Sequence, residues 1–274
     1  MVCHPKTSPL SPSIMAAPNG ARRVKTDHAG LPMTVGEIAA EALACQRAGA
    51  SYLHLHVRDA TGAHSLDPGH YTEAIAAVRA VAPGLGIQIT TEAVGRYSVT
   101  EQYDSLRAVH PPAASVSVRE MARDTVTAAR LYAFAAEAGI ALQHILYDAS
   151  DLETLRAFRA RGVIASGDCA VLLVFGSYTP PVLACPTSVP GAVAALRGGF
   201  PDWAACAFGQ TEEAVLIAVA RHGGNVRIGF ENNIQRADGA TAISTADNIA
   251  RFRAALAARS ADPHAPQPAR YTPA

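Results

Sequence analysis

The sequence predicts an α/β chain folded as a single (β/α)8 TIM barrel with parallel strands. Three observations predict it. Strand-type and helix-type segments alternate without a break along the chain of 274 residues. The connections between them are short. Eight such units occupy about 250 residues, the size of a barrel of this kind. Strict alternation implies parallel strands joined by right-handed crossovers. An open, doubly wound sheet is the runner-up, and it would favour a Gly-rich first turn that this chain lacks.

The apolar run from Ile14 to Ala17 is the first strand, closed by the turn signal Pro18-Asn19-Gly20. A helix follows from Thr34 to Ala48, with Thr34 as N-cap, Glu37 at the capping-box position and Gly49 as stop. Tyr52 to Val57 reads as the second strand, and Asp67-Pro68 opens a helix to Val81. Leu85 to Thr91 is the third strand, Thr100 to Val109 a weaker helix, and Ala114 to Val118 the fourth strand. An Ala-rich helix from Asp124 to Ala138 leads into the strand Ile140 to Tyr147 and the helix Ser150 to Arg161. The continuous apolar run Ala170 to Phe175 suits a strand buried on both faces. Val189 to Leu196 (helix), Trp203 to Phe208 (strand), Thr211 to Arg221 (helix), Val226 to Gly229 (strand) and Thr245 to Ala258 (helix) complete the eight units.

The barrel is expected over 14–260, between an N-terminal extension (1–13) and a Pro-rich tail (261–274), both expected to lack order, the tail alternatively lying on a neighbouring subunit. Lys plus Arg and Asp plus Glu are 23 each, which removes the electrostatic reason to expect nucleic acid or an anionic membrane as partner. A composition 49% hydrophobic and 17% charged excludes global disorder. No run approaches the roughly 18 apolar residues of a membrane helix, and the N-terminus has no apolar core of a secretory signal. Five scattered cysteines without a CxxC read as reduced thiols. The expectation is a soluble cytoplasmic protein.

The sharpest chemical signal is His54-Leu55-His56-Val57-Arg58-Asp59 at the end of the second strand. A side-chain period of 2 turns both imidazoles to one face and the leucines to the other, so the histidines enter the barrel mouth. Two such imidazoles start a zinc site; a hydrogen-bonded core pair would show the same pattern. At the end of the eighth strand, Arg227, Gly229 and Glu231 share a face by the same alternation. Only the first strand separates the eighth from the second, so Glu231 can converge on His54 and His56 as a His2Glu metal set. A structural Arg227–Glu231 ion pair is the alternative.

Other groups point to the same rim. Thr90 and Ser115 bring hydroxyls that can orient a substrate carboxylate or merely satisfy strand ends, and Glu92 and Glu120 bring carboxylates able to act as a base. Gly176 and Gly209 precede helices on the catalytic face, where small residues can admit a cofactor's phosphate oxygens. Of the remaining histidines, His4, His28, His64, His70, His110, His222 and His264 are read as solvated, and the phase of His144 is open.

With these residues in view, the sequence resembles the β-keto acid cleavage enzymes, the family that includes the 3-keto-5-aminohexanoate cleavage enzyme. The resemblance rests on Ala16-Ala17-Pro18-Asn19-Gly20-Ala21-Arg22, on residues 49–59, on 88–95 and on 223–233, and spans about Ile14 to Leu256. It implies a zinc-dependent barrel, usually a homotetramer, that exchanges a fragment between a β-keto acid and acetyl-CoA to give acetoacetate and a new acyl-CoA. His54, His56 and Glu231 fall on the family's metal ligands. Thr90 and Ser115 fall on hydroxyls of the substrate pocket, Asn19 and Arg22 on the substrate side of the first loop, and Arg227 on the catalytic arginine. A β-keto acid can chelate a divalent ion through its carboxylate and keto oxygens, which acidifies the carbon between them.

Two departures bear on the chemistry. Asn232 stands where family members of known activity carry an Asp with a base role, and a carboxamide takes no proton in the useful pH range. Glu92 and Glu120 are the first candidates to replace it. Arg22 stands where the amino-acid-cleaving relative has an acidic residue, which argues for a substrate with a neutral or anionic tail. The competing readings are a zinc hydrolase on the same barrel, independent of acetyl-CoA, and a catalytically silent ligand-binding homologue.

Overall fold

The computed structural model describes residues 11–164, 169–196 and 199–260. In chain order the elements are β1 (Ile14–Ala16), α1 (Val35–Ala48), β2 (Tyr52–Leu55), β3 (Val57–Arg58), β4 (His64–Ser65), α2 (Pro68–Val81), β5 (Gly86–Thr90), α3 (Val99–Val109), β6 (Ala113–Ser117) and α4 (Val118–Met121). They continue with α5 (Thr125–Glu137), β7 (Ala141–Leu146), α6 (Ala149–Ala160), β8 (Ala170–Phe175), α7 (Val189–Leu196), β9 (Trp203–Ala207), α8 (Glu212–Arg221), β10 (Asn225–Ile228) and α9 (Thr245–Ser260). Eight parallel strands close a barrel in the order β1-β10-β9-β8-β7-β6-β5-β2, as the alternation predicts. The expected N-terminal extension, up to residue 10, and the Pro-rich tail lie outside the described residues.

Local chemistry sets the helix starts. Thr34 and Glu37 close a capping box on α1, and Ser98 and Glu101 do the same on α3. Asp67 caps α2 ahead of Pro68, and Asp124 and Asp148 cap α5 and α6. Two features have no counterpart in the sequence reading. β3 and β4 form a small antiparallel hairpin directly after β2. β6 ends at Ser117, and Val118 opens the one-turn helix α4, so Glu120 belongs to a helix rather than to a strand end. Among the described residues, no helix is long and apolar enough to cross a membrane.

The outward side chains of the strands, Leu53, Leu55, Ile89, Val116 and Val171 among them, are fully buried beneath the helices. Each such side chain contributes about 1.5–3 kcal/mol of burial. Inside the barrel the two halves differ. Ile145, Leu172, Ala204 and Cys206 form an apolar cluster on β7, β8 and β9. Facing it, β2, β5, β6 and β10 turn inward His54, Gln88, Thr90, Ser115, Ser117 and Arg227, all buried. Polar side chains therefore gather on the side of the barrel where β1 brings β10 and β2 together, joined by Gln143 of β7.

Candidate metal centre and active site

Alternation along β2 buries Leu53 and Leu55 outward and turns His54 and His56 into the barrel, both nearly or fully buried. His54 Nδ1 lies 2.8 Å from Gln88 Oε1, and the Gln88 amide nitrogen donates onward to Gln143 Oε1 at 3.3 Å. Because Gln88 presents its oxygen, His54 carries its proton on Nδ1, which leaves Nε2 as a lone pair facing inward. His56 is positioned through its backbone: its carbonyl accepts from Asn19 Nδ2 at 3.1 Å.

Glu231 arrives from the turn after β10. Its backbone N–H donates to the Ala17 carbonyl at 3.0 Å, drawing the turn over β1. That approach needs glycine twice. A Cβ on Gly229 (φ 152°) would run into the Ala17 carbonyl, and one on Gly20 (φ 62°) would stand 2.5 Å from Glu231 Cγ. Below the turn, the buried Glu212 accepts from Asn233 Nδ2 at 3.0 Å and from Gly229 N at 3.5 Å. Burial raises its carboxyl to about 8.

The two Nε2 atoms are 3.1 Å apart, and Glu231 Oε2 lies 3.5 Å from that of His54 and 3.6 Å from that of His56. A tetrahedral ion with ligands near 2.0–2.1 Å has ligand–ligand edges of about 3.3 Å, so the spacing fits. Burial lowers the imidazoles to about 4 and about 3, against the pull of Glu231, so both stay neutral lone-pair donors at ordinary pH. Burial opposes the Glu231 charge, but Arg227, His54 and His56 outweigh it and hold the carboxyl well below its usual range. Glu231 Oε2 is buried without a hydrogen-bond partner. Three converging basic atoms with no proton between them suit a cation, and the expected ligand set is the one group of three or more His, Cys, Asp or Glu with such spacing among the described residues.

Arg227, 3% exposed, donates through Nη2 to Glu231 Oε1 at 2.9 Å, to Asn232 Oδ1 at 3.2 Å and to Cys206 Sγ at 3.3 Å. Its Nε and Nη1 are buried and unpartnered. The rim carboxylates differ sharply. Both Glu120 oxygens accept from Ala93 N, at 3.2 and 3.0 Å, and Oε2 also accepts from Gln102 Nε2 at 2.7 Å. Glu92 pairs with Arg22 at 3.9 Å, and burial together with the charges of Glu231 and Glu120 raises it to about 7.

Ser115 Oγ and Ser117 Oγ are both buried without partners, whereas Thr90 Oγ1 accepts from Glu92 N at 3.0 Å. Ser117 escaped the sequence reading, although the alternation that selects Ser115 selects it too. Asn19 Oδ1 is likewise buried and unpartnered, and Arg22 lies largely exposed at the rim. A Cβ at Gly176 would meet Val182 O and one at Gly209 would meet Leu183 Cδ2, so the segment 182–184 covers both glycines. His144 faces the helices: its Nδ1 lies 3.0 Å from the Ala170 carbonyl and its ring stacks on Tyr132. Two histidines read as solvated are not. His64 is 4% exposed, because the β3–β4 hairpin folds it back against His56. His28 is held by the Ala242 carbonyl at 2.8 Å and packs on Phe230.

The chain is similar to known proteins in sequence and in fold. The model of a family described as beta-keto acid cleavage enzyme matches residues 13–272. A 3-keto-5-aminohexanoate cleavage enzyme of Fusobacterium nucleatum is 25% identical over 248 residues, covering 87% of this chain and 88% of that protein. A 3-oxoadipate:acetyl-CoA acetyltransferase of Cupriavidus necator is 30% identical over 104 residues, 38% of this chain and 36% of that one. In fold, the chain is similar to ObcA in its binary complex with oxaloacetate (TM-score 0.66, 16% identity), covering 84% of this chain and 64% of ObcA. This chain thus spans under two thirds of the length of ObcA. A 3-dehydroquinate dehydratase from Geobacillus kaustophilus shares the barrel (TM-score 0.59, 14% identity, 91% of each chain).

Proposed function

The chain belongs to the beta-keto acid cleavage enzyme family, and from that premise we propose that it exchanges acyl groups between a β-keto acid and acetyl-CoA. The α-carbon of R–CO–CH2–COO⁻ loses a proton and attacks the thioester carbonyl, forming a C–C bond and releasing the CoA thiolate. The thiolate adds to the original keto carbonyl, the older C–C bond breaks, and the carbon that leaves with the pair is reprotonated. The products are acetoacetate and R–CO–SCoA. The observation that carries the reading is the convergence of His54, His56 and Glu231 beside a buried arginine with two unpartnered nitrogens.

His54, His56 and Glu231 would hold a divalent metal, and a His2Glu set suits zinc, although cobalt, manganese or iron can enter such a site. When bound, the metal supplies Lewis-acid polarisation of the keto group. The chain's own residues do the rest. Ser115, Ser117 and Thr90 hydroxyls face the mouth and donate to the substrate carboxylate. Arg227 Nε and Nη1 stabilise the oxyanions of the two additions from a position that needs no reorganisation.

Asn232 orients Arg227 through its carboxamide oxygen and moves no proton. Glu92 is the base: it takes the α-proton and returns it to the leaving carbon. Its oxygens meet only the distant Arg22 guanidinium among the described ion pairs, where those of Glu120 are hydrogen-bonded, and its raised carboxyl lies near neutrality, where a base is most effective. Arg22 at the rim favours a substrate tail that is neutral or anionic over one bearing an ammonium. Zinc-loaded protein incubated with acetyl-CoA and a pool of β-keto acids, followed by mass spectrometry of CoA thioesters, tests the reading. A new acyl-CoA accompanied by acetoacetate is expected. Untouched acetyl-CoA with metal fully bound would overturn it and favour hydrolysis or silent binding.

A further inference from the structure

The structure assigns to His64 the positioning of the metal ligand His56, through one ring nitrogen on each that is buried without a partner. The inference rests on the reading that His54, His56 and Glu231 hold a metal. His64 Nε2 lies 2.9 Å from the Glu92 carbonyl oxygen, which can only accept, so the proton of the neutral ring sits on Nε2. The ring is 4% exposed. His64 Nδ1 is therefore a bare acceptor, and it is buried with no hydrogen-bond partner.

His56 shows the opposite need. Its Nε2 points at His54 and Glu231, so a metal there leaves the proton on Nδ1, and that atom too is buried without a partner. A buried donor and a buried acceptor, each costly to leave unsatisfied, thus lie on two rings whose centroids are 5.2 Å apart. A hydrogen bond relayed between the two rings satisfies both atoms at once. His54 has its own orienting partner in Gln88 at 2.8 Å; His64 plays that part for His56. Metal-bound imidazoles almost always donate their second N–H in this way, and loss of the acceptor typically costs 10- to 100-fold in metal affinity.

The frame that delivers His64 is built for precision. Asp59 Oδ1 accepts from Thr61 N, Thr61 Oγ1 and Ala63 N, which closes the hairpin turn. The His64 carbonyl accepts from Tyr97 Oη at 3.3 Å and Arg96 Nη1 at 3.4 Å.

The test is zinc affinity measured by chelator competition in wild type, His64→Phe and His64→Gln, with the thermal midpoint of each metal-free protein measured alongside. His64→Phe is expected to bind zinc about 10- to 100-fold more weakly, and His64→Gln, whose amide keeps both a donor and an acceptor, to recover most of the loss. Nitrogen-15 spectra of the zinc-loaded wild type are expected to show His56 protonated at Nδ1 and His64 at Nε2, a signature that a merely space-filling His64 would not need to produce. Unchanged zinc affinity in folded His64→Phe, or a proton on His64 Nδ1, overturns the assignment. Should His64→Phe not fold, His64→Gln with the spectra decides alone. Failure of wild type itself to bind zinc would instead bring down the metal reading on which the assignment stands.

Discussion

Replacing Glu92 with Gln separates its role as a base from any role in holding the rim. The residue is buried beside the like charges of Glu231 and Glu120, with Arg22 3.9 Å away as its cation, and its carboxyl rises from 4.5 to about 7. The sign follows. Between about pH 4.5 and 7 the unfolded chain releases this proton while the fold retains it. Stability is therefore fully present below the unfolded value and lost as pH climbs through the folded one. At about 1.4 kcal/mol per pH unit, the interval amounts to about 3 kcal/mol in the metal-free protein, and to less once a metal offsets the charge of Glu231. Urea titrations of the metal-free proteins across this range should show wild type losing up to about 3 kcal/mol relative to Glu92→Gln as pH rises. In the metal-loaded enzyme, kcat/KM should climb with pH to a plateau near or somewhat below 7. The Gln variant should lack that limb and turn over roughly 100- to 10,000-fold more slowly. A variant within tenfold of wild type, with the same ascending limb, would show that the proton goes elsewhere.

Four further outcomes test the site. His54→Ala and Glu231→Gln should each abolish tight zinc binding in chelator competition, and full occupancy with unchanged turnover would reassign the ligands. Arg227→Ala should keep zinc and lose roughly 100- to 1,000-fold in kcat, the range seen when one oxyanion donor is removed; a near-normal rate removes it from the chemistry. Asn232→Asp places a carboxylate on Arg227, yet with Glu92 already in place turnover should show no gain approaching the roughly 100-fold that restoring a missing base would return. Gly20→Ala forces a side chain at φ 62° into Glu231 Cγ, so zinc affinity should fall and urea stability drop by about 1–2 kcal/mol.

The barrel was legible because several helices carry their own start signals and the strands their own apolar runs. Thr34 with Glu37, and Asp67 with Pro68, fix where two of the helices begin without help from tertiary contacts. The hairpin β3–β4 was hidden for the converse reason. Two residues pair with two, and nothing in Val57-Arg58 or His64-Ser65 shows a period long enough to read. The end of β6 was hidden likewise. Val118 continues an apolar alternation that the backbone abandons at Ser117, and Glu120, turned into α4, spends its carboxylate on Ala93 and Gln102.

The candidate metal ligands were legible in a narrower sense. Alternation states which way a side chain points only while the strand lasts, and β10 stops at Ile228. Glu231 reaches the histidines because Gly229 and Gly20 let the following turn lie against β1, which the sequence shows only as glycines. The second half of the histidine motif has a similar hidden task. Arg58, half-buried, donates to the carbonyls of Gly20, Ala21, Arg23 and Gly62, tying the first loop to the hairpin. Read by residue type, Arg58 and Asp59 are a charged pair at an active-site rim. Read by contacts, one clamps the loop that carries Asn19 and the other closes the turn that returns His64 to His56. The candidate ligands occupy two positions of that motif, and its last two fasten the loop and hairpin that flank His56.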